Sequence, residues 1–470
     1  MSRPNVVFVF GDQWRAQSTG YAGNSVVQTP NLDRLAKQSL NFTHAVSGCP
    51  VCSPARASLL TGQNPLSHGV FVNDVPLNHQ SMSIGQSFKQ GGYKTAYIGK
   101  WHVNGNGRSN YIPPDQRLGF DHWQVLECTH NYNQSAYYDG SSDQKLYWDG
   151  YDAFAQTNSA IDYISKNINT KNDSNTPFFL MLSWGPPHAP YQTAPEPYQD
   201  MYKPEEVLLR PNVPESLTEQ ARQDLSGYYA HCTALDDCLG RLLDRIDQLG
   251  QTENTIFVFT SDHGDMLGSQ GLIKKQKPWD ESIRIPCLIR YPELVSRNDS
   301  ELVGREISDV LMDTPDFMPT LLGLVGLPIP DTVEGVDYSM YLRNPESDNP
   351  SDSTAVLACY HAFGQWRYGL DGGPNHLTGR EFRGLRTRRY TYVMTLDGPW
   401  LLYDNLNDPY QQNNLLSTEM SQEVVQLAES LNRKLEQKLD KRKDNFLSGM
   451  DYIRQWGYTV DERGTIPYTN

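Results

Sequence analysis

The first twelve residues hold a run in which polar positions disappear: Val6 to Phe10 within NVVFVFGD, residues 5–12. Continuous apolarity closed by Gly-Asp predicts a strand buried on both faces, as in a parallel sheet, with Asp12 at its carboxyl end. The pattern returns three times. YKTAYIGKWH predicts a strand ending at Lys100 and His102, and TPFFLMLSWGPPHAPY a strand that runs into a proline-rich loop holding His188. NTIFVFTSDHGD predicts a buried strand that delivers Asp262 and His263.

Between these runs the spacing becomes helical. TPNLDRLAKQS predicts a helix capped by Thr29 with Pro30 in its first turn, and PARASLLTG a helix that starts just after Cys52 and stops at Gly62. Between Leu217 and Gly250, apolar residues at Leu235, Leu239, Leu242, Leu243, Ile246 and Leu249 mark one face of a long helix. Strands alternating with helices, and polar groups just past the strand ends, predict an α/β fold with a mostly parallel central sheet flanked by helices. Its site lies along the carboxyl edge.

After about Pro345 the texture changes. SDNPSDS is linker-like, and FRGLRTRRYTYVMTLDGPWLLYD predicts two strands joined around Asp397-Gly398, followed by a helix from about Thr418 to Lys441. The expected division is a catalytic unit over 1–345 and a smaller C-terminal α+β subdomain with an antiparallel sheet over 346–470.

A chain of 470 residues, 38% hydrophobic and 20% charged, has the composition of an ordinary globular enzyme. The net charge of −15 excludes a broad nucleic-acid-binding face, so any anionic ligand must be attracted locally. No apolar run approaches the ~18 residues of a membrane span, and Val6–Phe10 is too short for a signal peptide. The expectation is a soluble protein with no membrane partner: cytoplasmic, or periplasmic or secreted if a leader was removed. Seven cysteines without regular spacing do not form a disulfide framework.

Cys49 and Cys52 are three apart, yet neither a thioredoxin-like setting nor a second metal-spaced pair accompanies them; Cys232 and Cys238 fall within the long helix. Cys52-Ser53-Pro54-Ala55-Arg56, followed by Leu59-Leu60-Thr61-Gly62, instead resembles the signature of the type I sulfatases, Cys-x-Pro-x-Arg with a Leu-Thr-Gly tail. The resemblance continues through GKWH, PPHAPY, FTSDHGDMLG, KPWDESIRIP, RTRRYTYV and LLYDNLNDP. It implies the alkaline-phosphatase-like fold and the oxidation of Cys52 to formylglycine by a formylglycine-generating enzyme, with Cys49 a bystander. A hydrated aldehyde has two hydroxyls, one to attack sulfur and one to expel sulfate, which divides a hard hydrolysis into two easier steps.

The resemblance further implies a divalent cation held by Asp12, Gln13, Asp262, His263 and the modified Cys52. Oxygen donors favour Ca²⁺ over Mg²⁺ or Mn²⁺. Relatives commonly have paired acids after the first strand and Asp-Asn after the later one, so Gln13 and His263 are departures; they also resemble the phosphonate monoester hydrolases. Arg56 is assigned to the aldehyde hydrate, Lys100 and Lys275 to sulfate oxygens, His102 to the hydrate as partner or base, and His188 to protonation of the leaving alcohol. Lys275 is placed by holding Trp279-Asp280-Glu281 in register, with Lys274 and Lys277 as alternatives.

The implied reaction is hydrolysis of a sulfate ester, on a carbohydrate before an aryl alcohol. The alternatives are phosphonate or phosphodiester hydrolysis, or silent binding of sulfated glycans. Loops Thr129–Trp148 and His361–Arg380 are expected to set the substrate, and Arg386-Thr387-Arg388-Arg389 reads as a solvated strand end before a glycan-binding run.

Overall fold

The computed structural model describes residues 3–168, 176–298, 301–362, 380–416, 419–461 and 466–467. Sixteen strands are described: β1 Asn5–Asp12, β2 Leu40–Phe42, β3 Lys94–Lys100, β4 His122–Leu126, β5 Ala136–Asp139, β6 Leu146–Tyr147, β7 Phe178–Pro187 and β8 Thr255–Ser261. They continue as β9 Leu288–Arg290, β10 Ser296–Asn298, β11 Glu301–Val303, β12 Arg305–Ile307, β13 Thr354–Cys359, β14 Phe382–Thr387, β15 Tyr390–Thr395 and β16 Gly398–Asp404. Ten form one sheet in the order β12-β2-β9-β8-β1-β7-β3-β4-β5-β6. Its centre, β8-β1-β7-β3-β4, is parallel throughout, while β9, β5 and β6 join antiparallel towards the edges.

The central strands read as unbroken apolar runs because both faces are covered. Val6, Phe8 and Phe10 pack on one side with Leu59, Leu60, Phe317 and Leu321. Val7 and Val9 pack on the other with Leu235, Leu239 and Leu242 of the helix Thr218–Gln248. Each such side chain contributes about 1.5–3 kcal/mol on burial.

Two local expectations change. Thr29 does not cap the helix Pro30–Ala36: its Oγ1 accepts from Gly20 N at 2.7 Å. The orphan amides of Asn31 and Leu32 go instead to the Asp236 carboxylate, at 2.9 and 2.7 Å, a tertiary cap supplied by the long helix. The helix Cys52–Thr61 begins at Cys52 itself and closes at Gly62, whose φ of 65° is left-handed. A Cβ there would also lie 2.9 Å from Val333 Cγ1.

Residues 382–404 form three strands rather than two, because the chain also turns at Arg388-Arg389; the turn at Asp397 is as expected. With β13 they make a separate antiparallel sheet, β13-β14-β15-β16. Val356, Leu385, Tyr392 and Leu402 face Leu431, Leu435 and Leu439 of the helix Gln422–Lys441. On the opposite face, Leu357, Phe382, Val393 and Leu401 pack with Met266, Trp279 and Ile283. Residues 417 and 418, at the expected start of that helix, lie outside the described residues.

Candidate active site

Asp12, Lys100, His188 and Asp262-His263 all stand at or just beyond the carboxyl ends of parallel neighbours, β1, β3, β7 and β8. The β1–β7 register slips after Gly11, which brings Asp12 opposite Pro187, beside His188. Cys52 enters from the side on the first turn of its helix, whose second amide, Ser53 N, is held by Asn73 Oδ1 at 2.9 Å.

Ligand atoms of Asp12, Cys52, Asp262 and His263 lie within 4.8 Å of one another, all buried. His263 Nδ1–H donates to the Gly264 carbonyl at 2.9 Å, which leaves the Nε2 lone pair 3.3 Å from Cys52 Sγ. Gln13 stands beside the cluster in the left-handed region, at φ 69°. Its amide N donates to Asp262 Oδ1 and its Nε2 to Asp265 Oδ2, while its Oε1 accepts from Lys275 Nζ at 2.7 Å.

Three cations brace this anionic cluster. Arg56 bridges both carboxylates, Nη2 to Asp12 Oδ2 at 3.0 Å and Nε to Asp262 Oδ2 at 2.9 Å; its Nη1 donates to Ser183 Oγ and the Lys100 carbonyl. Lys100 Nζ donates to Asp12 Oδ2 at 2.6 Å. Lys275, and neither Lys274 nor Lys277, carries the third: Lys277 Nζ turns back to the Lys275 carbonyl. Burial alone would raise Asp12, yet Lys100, Arg56 and Lys275 hold its carboxyl well below the usual range. Asp262 is raised by burial and by Asp12 beside it. Burial and Asp12 push the Cys52 thiol up, but Lys275 and Lys100 outweigh them and hold it well below the ordinary thiol value. The Cys49 thiol is raised by burial, as an inert core cysteine would be.

The two remaining histidines have opposite characters. Burial would lower His102, but Cys128 and Asp74 lift it to about 10. His102 Nε2 lies 3.2 Å from Asp74 Oδ1, and its buried Nδ1 has no hydrogen-bond partner. His188 Nδ1–H donates to the Ala189 carbonyl at 2.8 Å, so its Nε2 accepts from Lys275 Nζ at 2.6 Å. Burial, Lys275 and His130 hold His188 well below its ordinary value, and the His130 ring stacks on it at 4.5 Å. His188 is therefore the neutral acceptor of this pair. The residue expected to protonate the leaving group is thus hydrogen-bonded to one expected to hold sulfate oxygens.

The family model described as Sulfatase matches residues 4–327, well over half of the chain, and that of the N-sulphoglucosamine sulphohydrolase C-terminal region matches 268–441. The chain belongs to the sulfatase family. It is 43% identical to an ulvan-active sulfatase of Formosa agariphila, over 99% of this chain and 87% of that protein. It is 31% identical to an endo-4-O-sulfatase of Bacteroides thetaiotaomicron, with 90% of each covered. A solved structure from work on the metabolism of multiple glycosaminoglycans by Bacteroides thetaiotaomicron superposes with a TM-score of 0.81 at 28% identity, covering 96% of this chain and 99% of that one.

This sulfatase is a sulfuric ester hydrolase, and its family implies a divalent cation and a formylglycine. The donor set fits a cation: two carboxylates, an imidazole with its lone pair directed inward, and the side chain at position 52, all within reach of one centre. Several supporting residues carry no sequence signal. Asp74, which holds His102 and Arg108 together, sits in an unremarked VNDVP stretch, and Ser183 is one more residue of an apolar strand. Asp265, within DHGDMLG, accepts from Gln13 and from Tyr191, two partners that no local pattern announces. Of the expected substrate loops, Thr129–Trp148 supplies His130, while residues 363–379 lie outside those described. No described helix is long and apolar enough to cross a membrane.

Proposed function

We propose that this sulfatase removes a sulfate ester from a sulfated carbohydrate, with Cys52 matured to formylglycine by a formylglycine-generating enzyme. The observation that carries the reading is the position of Cys52, buried at a helix start with Asp12, Asp262 and His263 on one side and Lys100 and Lys275 as the charges that most depress it. The printed activities of the ulvan-active and endo-4-O-sulfatase relatives support a glycan as the substrate.

Asp12, Gln13, Asp262 and His263 would hold the cation together with the modified residue; when bound, the cation would polarise oxygen at the nucleophile and the formylglycine hydrate would supply that nucleophile. Ca²⁺ suits the carboxylates, and the His263 nitrogen is the feature that would admit Mn²⁺. Reconstitution of chelator-stripped enzyme with each ion tests that choice.

The chain's own residues bind, orient and move protons. Arg56 fixes the two carboxylates relative to each other through separate nitrogens, so the nucleophile meets a rigid base. Lys100 and Lys275 would draw charge onto the sulfate oxygens, where it accumulates as the ester bond breaks. His102, held protonated, would donate from Nδ1 to the nucleophilic hydrate rather than act as a base. The Lys275–His188 pair would supply the proton to the departing sugar oxygen.

A desulfation screen over chemically defined sulfated oligosaccharides tests the reading, with released sulfate on at least one sugar expected. The Gln13 and His263 departures favour one alternative, a phosphonate or phosphodiester hydrolase. Matched esters of a single alcohol decide between them: a kcat/KM for the phosphonate or phosphodiester at or above that for the sulfate would replace this proposal.

A further inference from the structure

Beyond the machinery around Cys52, a cleft of about 490 Å³ opens where the second sheet meets the main one, lined by His44, Asp280, Arg284, Arg386, Arg388 and Arg389. Four guanidiniums face one lining carboxylate, in a chain whose net charge is −15. That carboxylate is spent. Asp280 takes both oxygens to Arg386, at 3.0 and 2.9 Å, and Arg389 is paired with Asp404 at 2.7 Å. The run at 386–389 is thus only partly the solvated strand end expected of it: Arg386 is buried, whereas Arg388 is exposed and makes no side-chain hydrogen bond or ion pair among the described residues.

Other polar groups at the cleft also lack partners. Arg284 Nε and His44 Nδ1 are buried and make no hydrogen bond. Burial, with Arg386, Arg284 and Arg388 around it, presses His44 down to about 4 despite Asp280, so the imidazole is neutral and the local field positive. Arg284 also reaches Asp280, Nη1 to Oδ2 at 3.8 Å, and donates to the Thr43 carbonyl, so the free fork is that of Arg388. Guanidinium forks recognise planar or tetrahedral oxyanions, and a cleft that leaves one fork and two buried ring or guanidinium nitrogens unused is suited to one.

Two of its walls are joined along the chain to segments that carry active-site residues. His44 lies on the connection that runs to Cys52, whose Ser47 N donates to the Ile283 carbonyl at 2.7 Å, and Asp280 and Arg284 follow directly on the segment that carries Lys275. We propose that this cleft is an exosite that holds a sulfate or carboxylate group of a polymeric glycan at a position remote from the ester being cleaved. The inference rests on the carbohydrate-sulfatase reading and deepens it: it makes the substrate a polyanion gripped at two places.

The test is fluorescence anisotropy with labelled dextran sulfate, carboxymethyl dextran and neutral dextran, on the full chain and on Arg388→Glu and Arg388→Lys. Arg388→Glu weakens dextran sulfate binding by about tenfold or more, as loss of a charge-assisted contact should, and Arg388→Lys, which keeps the charge but loses the fork, falls between it and the wild type. Turnover of a small aryl sulfate is unchanged in both variants. Equal weakening for the two charged polymers assigns a general oxyanion site, and weakening of dextran sulfate alone assigns a sulfate site. Dextran sulfate binding that is absent from the wild type, matched by neutral dextran, or indifferent to Arg388→Glu overturns the proposal. A failure to desulfate any glycan would remove the proposed function without touching Arg388-dependent binding, so the two can fail separately.

Discussion

Lys275 Nζ and His188 Nε2 lie 2.6 Å apart, with the imidazole as acceptor, because its Nδ1–H is already given to the Ala189 carbonyl. The pair joins a residue after β8 to one after β7, with the lysine as donor. If the pair serves the leaving oxygen, its loss matters most where the alcohol is a poor leaving group. His188→Ala should lower kcat for sugar sulfates by roughly 10²-fold or more, and far less for an activated aryl sulfate. Steady-state kinetics on both substrates checks this; equal losses would move the pair to sulfate binding.

Asp74 reaches the chemistry only through His102. Its carboxyl is held well below the ordinary range, burial being outweighed by hydrogen bonds from His102 and Arg108. Asp74 in turn helps to lift His102 to about 10. Asp74→Asn should therefore shift the alkaline limb of kcat/KM to lower pH, with KM little changed. A limb that stays in place would mean that the His102 proton is not used.

The strand ends were legible in the sequence because buried parallel strands leave an unmistakable apolar run, and Asp12, Lys100, His188, Asp262 and His263 follow directly from them. What stayed hidden depended on pairs far apart in the chain. Asp236 capping the helix at Asn31, Asp74 holding His102, and Arg386 buried on Asp280 are contacts between residues whose local patterns show nothing special. The third strand of the small sheet was missed because Arg388-Arg389 is not a typical turn pair.

His231 fixes the loop that bears His188. Its Nδ1 accepts from Tyr151 OH at 2.7 Å and its Nε2–H donates to the Pro190 carbonyl at 3.2 Å. Burial lowers it from 6.5 to about 4. The folded state then binds fewer protons than the unfolded one, so the stability is present above about pH 6.5 and is lost as pH falls towards 4. Compared with His231→Gln, the wild type should lose on the order of 3 kcal/mol more across that window, measured by urea unfolding at each pH. Parallel pH curves would contradict the assignment.

Arg383 and Asp444 form a fully buried pair, Nε to Oδ2 at 2.5 Å and Nη2 to Oδ1 at 3.2 Å, with the guanidinium 3.9 Å from the centre of the Tyr360 ring. It pins β14 to the segment after the helix Gln422–Lys441. Arg383→Met leaves a buried carboxylate without its partner and should cost about 3–5 kcal/mol. Unfolding measured near pH 7 checks it. A loss under ~1 kcal/mol would show that the pair is dispensable.

The central claim is that catalysis runs through a modified Cys52 on a sulfate ester. Its most direct measurement is sulfate released from a sulfated oligosaccharide, plotted against the fraction of Cys52 converted to formylglycine, both determined on the same preparations. The account predicts a straight line through the origin, with Cys52→Ala folded and inactive. Sulfate release from unconverted enzyme, or from Cys52→Ala, would contradict it.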